Sequence, residues 1–221
     1  MTPSTLLKAA FGHDLTPDLV TVFVLNDETR TLTVYASGDV MVIGFYETKG
    51  TIWPPSKDWR TNLEAWKKSL SVGSKKYKAH AGFVKEYLSL RPEVCAQIIE
   101  HLPKKIYLTG FSQGSAHAVL AWRDIVENFP AISAEAVVFA SPRVYSWRSS
   151  REFDRATDRY PGHPVRRYTL SCDPVVKLPP WFFNYRHVGV ETIIGDPKEW
   201  FLGDPNVHDE GRYLKAVEGL S

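Results

Sequence analysis

The sequence predicts an α/β fold: one domain over residues 1–221, with a mostly parallel central sheet flanked by helices and antiparallel hairpin strands at its N-terminal end. Three observations carry this. From residue 40 to residue 171, short apolar runs alternate with amphipathic stretches, as successive strand–helix units require. Val40-Met-Val-Ile-Gly-Phe45 is continuously apolar, the composition of a strand buried on both faces. Lys105 to Thr109 passes through Gly110-Phe-Ser-Gln-Gly114 into the small residues Ser115-Ala-His-Ala118, which reads as strand, sharp turn, helix with a serine at the apex.

Residues 3–10 read as a short helix with Leu6, Leu7 and Ala10 on one side. Leu19–Leu25 and Thr31–Tyr35 are β-rich runs joined by residues 26–29, whose composition suits a hairpin. Residues 49–57 are loop-like and carry Ile52 and Trp53. Asp58–Leu70 has Trp59, Leu63, Trp66 and Leu70 three or four apart and predicts an amphipathic helix. A Lys-rich turn follows. His80-Ala-Gly-Phe83 opens a long helix through His101, and the helix after Gly114 runs to about Asn128, stopped by Pro130. Ala136–Ala140 and Val165–Ser171 are further strands around a polar helix over 149–160. A Pro-rich crossing comes next. His187–Ile194 alternates like a last hairpin strand, and a short helix closes the chain after His208.

Bulk properties exclude several classes. The 27 basic and 25 acidic side chains nearly cancel, so nothing in the net charge argues for nucleic acid. Lys67, Lys68, Lys75, Lys76 and Lys78 make one local excess, read as a solvated helix end, with an anionic membrane or polyanion patch as the alternative. Two cysteines, Cys95 and Cys172, form neither a disulfide scaffold nor a metal-ligand pattern, which favours a reducing compartment. No signal-peptide run or stretch of transmembrane length is present, and a soluble cytoplasmic protein is expected.

The apex serine supplies the chemistry. A hydroxyl is a weak nucleophile at neutral pH and needs a base, which in turn needs an orienting acid. In a strand–elbow–helix setting these follow the serine in the order acid, then histidine. Asp173, just after the strand 165–171, would share the carboxyl edge of the sheet with Ser112. His13, His80, His101, His117 and His163 all precede it. His208, in a loop before the last helix, leads as base, with His187 as the alternative.

Several motifs, in order, resemble the class 3 lipases of the α/β-hydrolase fold. Asp58-Trp59 with Asn62-Leu63 is similar to D-W-x-x-[ND]-L, and His80-Ala-Gly-Phe83 to V-H-x-G-F. Gly110–Gly114 fills the elbow, and Ser141-Pro-Arg-Val144 resembles G-S-P-R-V. Asp173 to Pro180 is similar to D-x-V-P-x-L-P-P, Tyr185 to Glu191 to Y-x-H-x-G-x-E, and His208 with Tyr213 and Leu214 to the terminal His-helix of the family's bacterial members. The resemblance implies Ser112 as nucleophile, Asp173 as acid and His208 as base, with His187 structural. It implies hydrolysis of lipid-like esters through an acyl-enzyme, with no metal or organic cofactor.

Two departures bear on the chemistry. The family's F-R-G-[ST] oxyanion loop stands here as Phe45-Tyr46-Glu47-Thr48, which makes Thr48 the oxyanion residue with the N–H of Gln113; a register with an insertion would use Thr51. Gly-Phe-Ser-Gln-Gly also resembles the elbow of cutinases, so a polyester or cell-envelope ester is the alternative substrate. A non-catalytic hydrolase-fold binding protein, or an acyltransferase or peptidase on the same residues, are the rival classes. Trp53 and Trp181 are the expected acyl contacts, the partner is a lipid or small-molecule ester, and a transient lipid-interface contact is expected.

Overall fold

Among the described residues, seven strands build the central sheet, in the spatial order β1-β2-β3-β6-β7-β9-β11. In this computed structural model the described residues are 1–26, 31–46, 67–72, 75–159, 162–195 and 207–220. Strands β1 (Val20–Asn26), β2 (Thr31–Ser37) and β3 (Val40–Tyr46) form the antiparallel meander. From β3 onward the sheet is parallel, through β6 (Lys105–Phe111), β7 (Ser133–Phe139), β9 (Val165–Leu170) and β11 (Val190–Ile194). Parallel neighbours need crossovers, and the long helices supply them.

Two cores lie on the two faces, which explains the unbroken apolar run of β3. Met41, Ile43 and Phe45 join one cluster and Val42 the other. The first cluster is capped by α2 (Ala81–His101), α3 (Gln113–Asn128) and α4 (Trp147–Arg159), with Val84, Tyr87, Trp122 and Phe153 among its large side chains. The second lies under α1 (Pro3–Ala10) and α5 (Glu210–Glu218), through Leu6, Leu7, Tyr213 and Val217. Helices thus cover a sheet that is apolar on both sides, and α3 is itself enclosed, with every residue from Gln113 to Val126 buried.

Polar groups inside the first core are tied down. Asp124 of α3 accepts from Tyr87 Oη at 2.6 Å and from Arg91 Nε at 2.5 Å, both on α2. Burial and the adjacent Asp124 carboxylate push the Tyr87 phenol well above its ordinary value, so it remains a donor. This network clamps α2 against the helix that follows the serine.

Two expectations are corrected. Residues 67–70 are not the end of a helix: Lys67–Val72 is strand β4, paired antiparallel with β5 (Lys75–His80). Leu70 and Val72 are buried by strand alternation, and the lysines sit on a hairpin rather than at a helix end. This hairpin, with β8 (Tyr145–Ser146) and β10 (Tyr185–Arg186), makes a second sheet of order β10-β8-β5-β4. The last strand is likewise no hairpin partner, because β11 runs parallel to β9, and His187 lies between β10 and β11. The part of the expected helix before residue 67 lies outside the described residues, as do Thr48, Thr51 and Trp53.

Candidate active site

The carboxyl ends of β6 and β9 and the loop before α5 bring Ser112, Asp173 and His208 to one edge of the sheet. Ser112 has φ 54° and ψ −122°, a left-handed conformation that costs a residue with a Cβ and persists only where the surroundings impose it. Its N–H donates to Phe139 O at 3.0 Å, and the Ser115 hydroxyl is within 2.7 Å of Gly110 O and 2.5 Å of Phe139 O. These bonds pin the turn between β6 and β7.

The two elbow glycines are demanded by contact. A Cβ at Gly110 would lie 2.4 Å from the Gly114 carbonyl, and one at Gly114 would lie 2.0 Å from Phe45 O. Neither distance is possible without moving backbone. The second contact also shows that the turn is pressed against the end of β3, where the expected oxyanion loop begins.

Asp173 is fully buried, with its charge met by three donors. Oδ1 accepts from Val175 N at 2.8 Å, and Oδ2 accepts from Tyr213 Oη at 2.7 Å and His208 Nδ1 at 2.8 Å. An ionised carboxylate only accepts, so the His208 proton sits on Nδ1 and Nε2 is left with its lone pair. Burial, then the Asp173 charge, pushes the Tyr213 phenol well above its ordinary value, which keeps it a donor. Ser112 Oγ and His208 Nε2 are both buried and both lack a hydrogen-bond partner. The two atoms that a proton transfer would link are thus both without a partner among the described residues.

Aromatic rings set the histidine's position. Phe111, one residue before the serine, lies 4.8 Å from the His208 ring and edge-on to Tyr213 at 5.2 Å. Phe11 continues the row, 5.0 Å from Phe111 and 4.6 Å from Tyr46. Replacing Tyr213 with phenylalanine keeps this packing but strips a donor from a buried charge. Stability should fall by about 1.5–3 kcal/mol in urea unfolding, and an unchanged midpoint would contradict the bond.

His187, the alternative base, serves otherwise. Its Nε2 donates to Val176 O at 2.8 Å, holding the loop that follows Asp173. Burial, then the charges of Arg167 and Arg143, lowers it to about 3. His80 is lowered to about 4, mainly by burial against Phe83 and Tyr185. Both imidazoles are neutral in the fold, whereas the unfolded chain titrates them near about 6.5. The unfolded state then binds more protons below that pH, so stability falls as pH drops from about 6.5 toward 4, by up to about 1.4 kcal/mol per unit for each histidine. Urea titrations across that range check it, and a flat profile would rule out buried neutral imidazoles.

Not every site group was foreseen. Glu86 on α2 accepts from the Gln113 carboxamide, and His117 Nε2 lies 3.2 Å from the same oxygen. The side chain after the serine is therefore bound to α2. The Gln113 N–H, at the first position of α3, is not used by the helix ladder. Glu86 carries no sequence signal for this role, since only the packing of α2 on α3 brings it there. Trp181 is 63% exposed, and its ring packs on Phe182 rather than on a triad residue. Among the described residues no His, Cys, Asp and Glu cluster suits a metal ion.

The architecture is the α/β-hydrolase fold, with Ser112 at the apex of the turn between β6 and α3. The chain belongs to the class 3 lipase family, whose model matches residues 47–183, more than half of the 221. It is 30% identical over 138 residues to phospholipase A1-IIdelta of Arabidopsis thaliana, covering 59% of this chain and 32% of that protein. It is 31% identical over 124 residues to a lipase of Rhizopus niveus, covering 53% and 30%. The chain thus spans about a third of the length of these curated relatives. Among solved structures, the lipase from Rhizopus microsporus var. chinensis has a TM-score of 0.64 and 26% identity, over 82% of this chain and 63% of that one. Lip2 lipase from Yarrowia lipolytica, at 16% identity and TM-score 0.71, shares the fold over 88% of this chain and 77% of its own.

Proposed function

We propose that this chain is a serine carboxylic-ester hydrolase acting on lipid-like esters, such as mono- or diacylglycerols and lysophospholipids. The observation that carries it is the buried Asp173 carboxylate holding His208 Nδ1 at 2.8 Å beside a positive-φ serine with an unpaired hydroxyl. His208 Nε2 takes the Ser112 proton as Oγ attacks the ester carbonyl carbon. The oxyanion of the tetrahedral intermediate is met by the N–H of Gln113 and, from the loop after β3, that of Thr48. Collapse breaks the bond to the alcohol oxygen, which leaves with the proton from His208. Water then attacks the acyl-enzyme by the same route, releasing the acid and restoring Ser112. These steps use protein groups and water alone.

The related lipase and phospholipase A1 support a long acyl group, and Trp53 and Trp181 are the side chains proposed to meet it. Gln113 in the elbow favours a second reading, a cutinase-like polyester or cell-envelope esterase. A fluorophosphonate probe should label the folded protein at Ser112, and absence of labelling would sink the hydrolase reading. Turnover of p-nitrophenyl esters from acetate to palmitate should rise with acyl length; a preference for acetate would remove the lipid substrate while leaving an esterase.

A further inference from the structure

The second sheet has an unusual charge balance. Strands β4, β5, β8 and β10 carry Lys67, Lys68, Lys75, Lys76, Lys78 and Arg186, and no Asp or Glu. Their register pairs Ser69 with Lys78 and Ser71 with Lys76. Lys67, Lys76 and Lys78 thus share one face with two serines, opposite the face that buries Leu70, Val72 and Tyr77. Of the remaining lysines, Lys75 is neutralised by Glu127 at 2.9 Å.

That lysine face runs directly into an exposed aromatic turn. Lys67 donates to Phe183 O at 2.8 Å and lies 4.5 Å above the Tyr185 ring. Trp181, Phe182 and Phe183 are 63%, 66% and 46% exposed, and their rings pack on one another rather than on the core. Trp147, 46% exposed, donates its backbone N–H to Asn184 O, and Arg151 lies over its ring at 5.0 Å. Arg186 donates to Trp181 O at 3.0 Å. Four large rings left in solvent and flanked by cations are costly on a protein that presents them to water alone.

We propose that this surface, the lysine face of β4 and β5 with the Trp181–Phe183 turn and Trp147, docks the protein on an anionic lipid bilayer. The chemistry is complementary at two depths. Tryptophan and phenylalanine rings settle among head groups and upper acyl chains, and lysine and arginine meet lipid phosphates. A bilayer offers phosphates to the lysines and an apolar layer to the exposed rings at once, whereas a protein partner would have to supply carboxylates and an apolar pocket side by side. The site's own field points the same way. The Lys67 ammonium is held below its ordinary value by partial burial and then by the charge of Lys78, so like charges crowd here. Docking here extends the lipid-ester reading by naming the surface on which the substrate would be met, and its test needs no turnover.

The Ser112→Ala protein is co-sedimented with vesicles of phosphatidylcholine alone and of phosphatidylcholine with phosphatidylglycerol. Binding to the mixed vesicles should exceed binding to phosphatidylcholine by about tenfold or more, and should weaken severalfold as salt rises from about 0.1 to about 0.5 M. Lys76→Glu with Lys78→Glu should cut mixed-vesicle binding by about tenfold or more. Phe182→Ser should weaken it severalfold by removing an inserting ring. In the chain with Ser112 intact, these surface variants should keep their melting temperature and their turnover of a soluble short-chain ester. Equal binding to both vesicle types, no salt dependence, or unchanged binding by the lysine variant would overturn the proposal. So would binding to heparin or single-stranded DNA with none to vesicles, which would mark a polyanion surface instead. If vesicle binding holds but no fluorophosphonate label appears, the docking surface stands and the hydrolase reading falls.

Discussion

Ser112→Ala should lower ester turnover by about 10^5-fold or more and abolish fluorophosphonate labelling, while the protein keeps its fold. The second half of that expectation comes from the geometry. Ser112 Oγ makes no hydrogen bond, so its removal leaves no buried donor or acceptor without a partner. Alanine carries the same Cβ as serine and meets the same strain at φ 54°. The turn is held by other atoms, the Ser112 N–H to Phe139 O and the Ser115 hydroxyl at Gly110 O. A matched melting temperature with lost activity would separate chemistry from folding. Residual turnover within about tenfold of the parent would remove Ser112 from the mechanism.

Asp173→Asn should cost about 10^4-fold in kcat, an effect that comes from orientation rather than from volume. All three bonds to this carboxylate come from donors: Val175 N–H, Tyr213 O–H and His208 Nδ1–H. An amide has one acceptor oxygen. If that oxygen serves Val175, the NH2 group faces Tyr213 and His208, and the imidazole must present a lone pair at Nδ1. The proton then moves to Nε2, where the base is needed, and the serine loses its acceptor. The Ser112→Ala, Asp173→Asn double variant should be no worse than Ser112→Ala alone, because the groups act as one unit. Additive losses in that cycle would show that Asp173 acts apart from the serine. Steady-state kinetics on a soluble short-chain ester reads all of these.

The elbow was legible because its constraint is local. Two glycines flank a serine after a β-rich run and before small residues; the clash at Gly110 is with Gly114 within the turn itself, whereas the one at Gly114 is with Phe45 of β3 and shows only in the packed structure. Strand and helix order from residue 81 to residue 194 was largely legible, since the apolar patterning of each element is written in its own residues. The hairpin at Lys67–His80 was not, because lysine and serine on its outer face dilute the alternation. Leu70 happens to fall at helical spacing from Trp66 and Leu63, and the helix period absorbed it. The parallel pairing of β11 was hidden too, since alternation reveals a strand but not its partner's direction.

The sequence by itself determined the class of fold, the strand–turn–helix around Ser112 and the order in which Asp173 and His208 follow it. These depend on short-range sterics, on periodicity and on the direction in which strands succeed one another. Only the tertiary structure decided what touches what. Tyr213 reaches Asp173 across 40 positions, Glu86 reaches Gln113 across 27, and Lys67 reaches Phe183 across 116. Such contacts arise where separate elements pack, and no local pattern encodes which side chains will meet there. The clearest case is the pair His208 and His187: one imidazole ends on a buried carboxylate and the other on a backbone carbonyl, and only the packing decides which meets which.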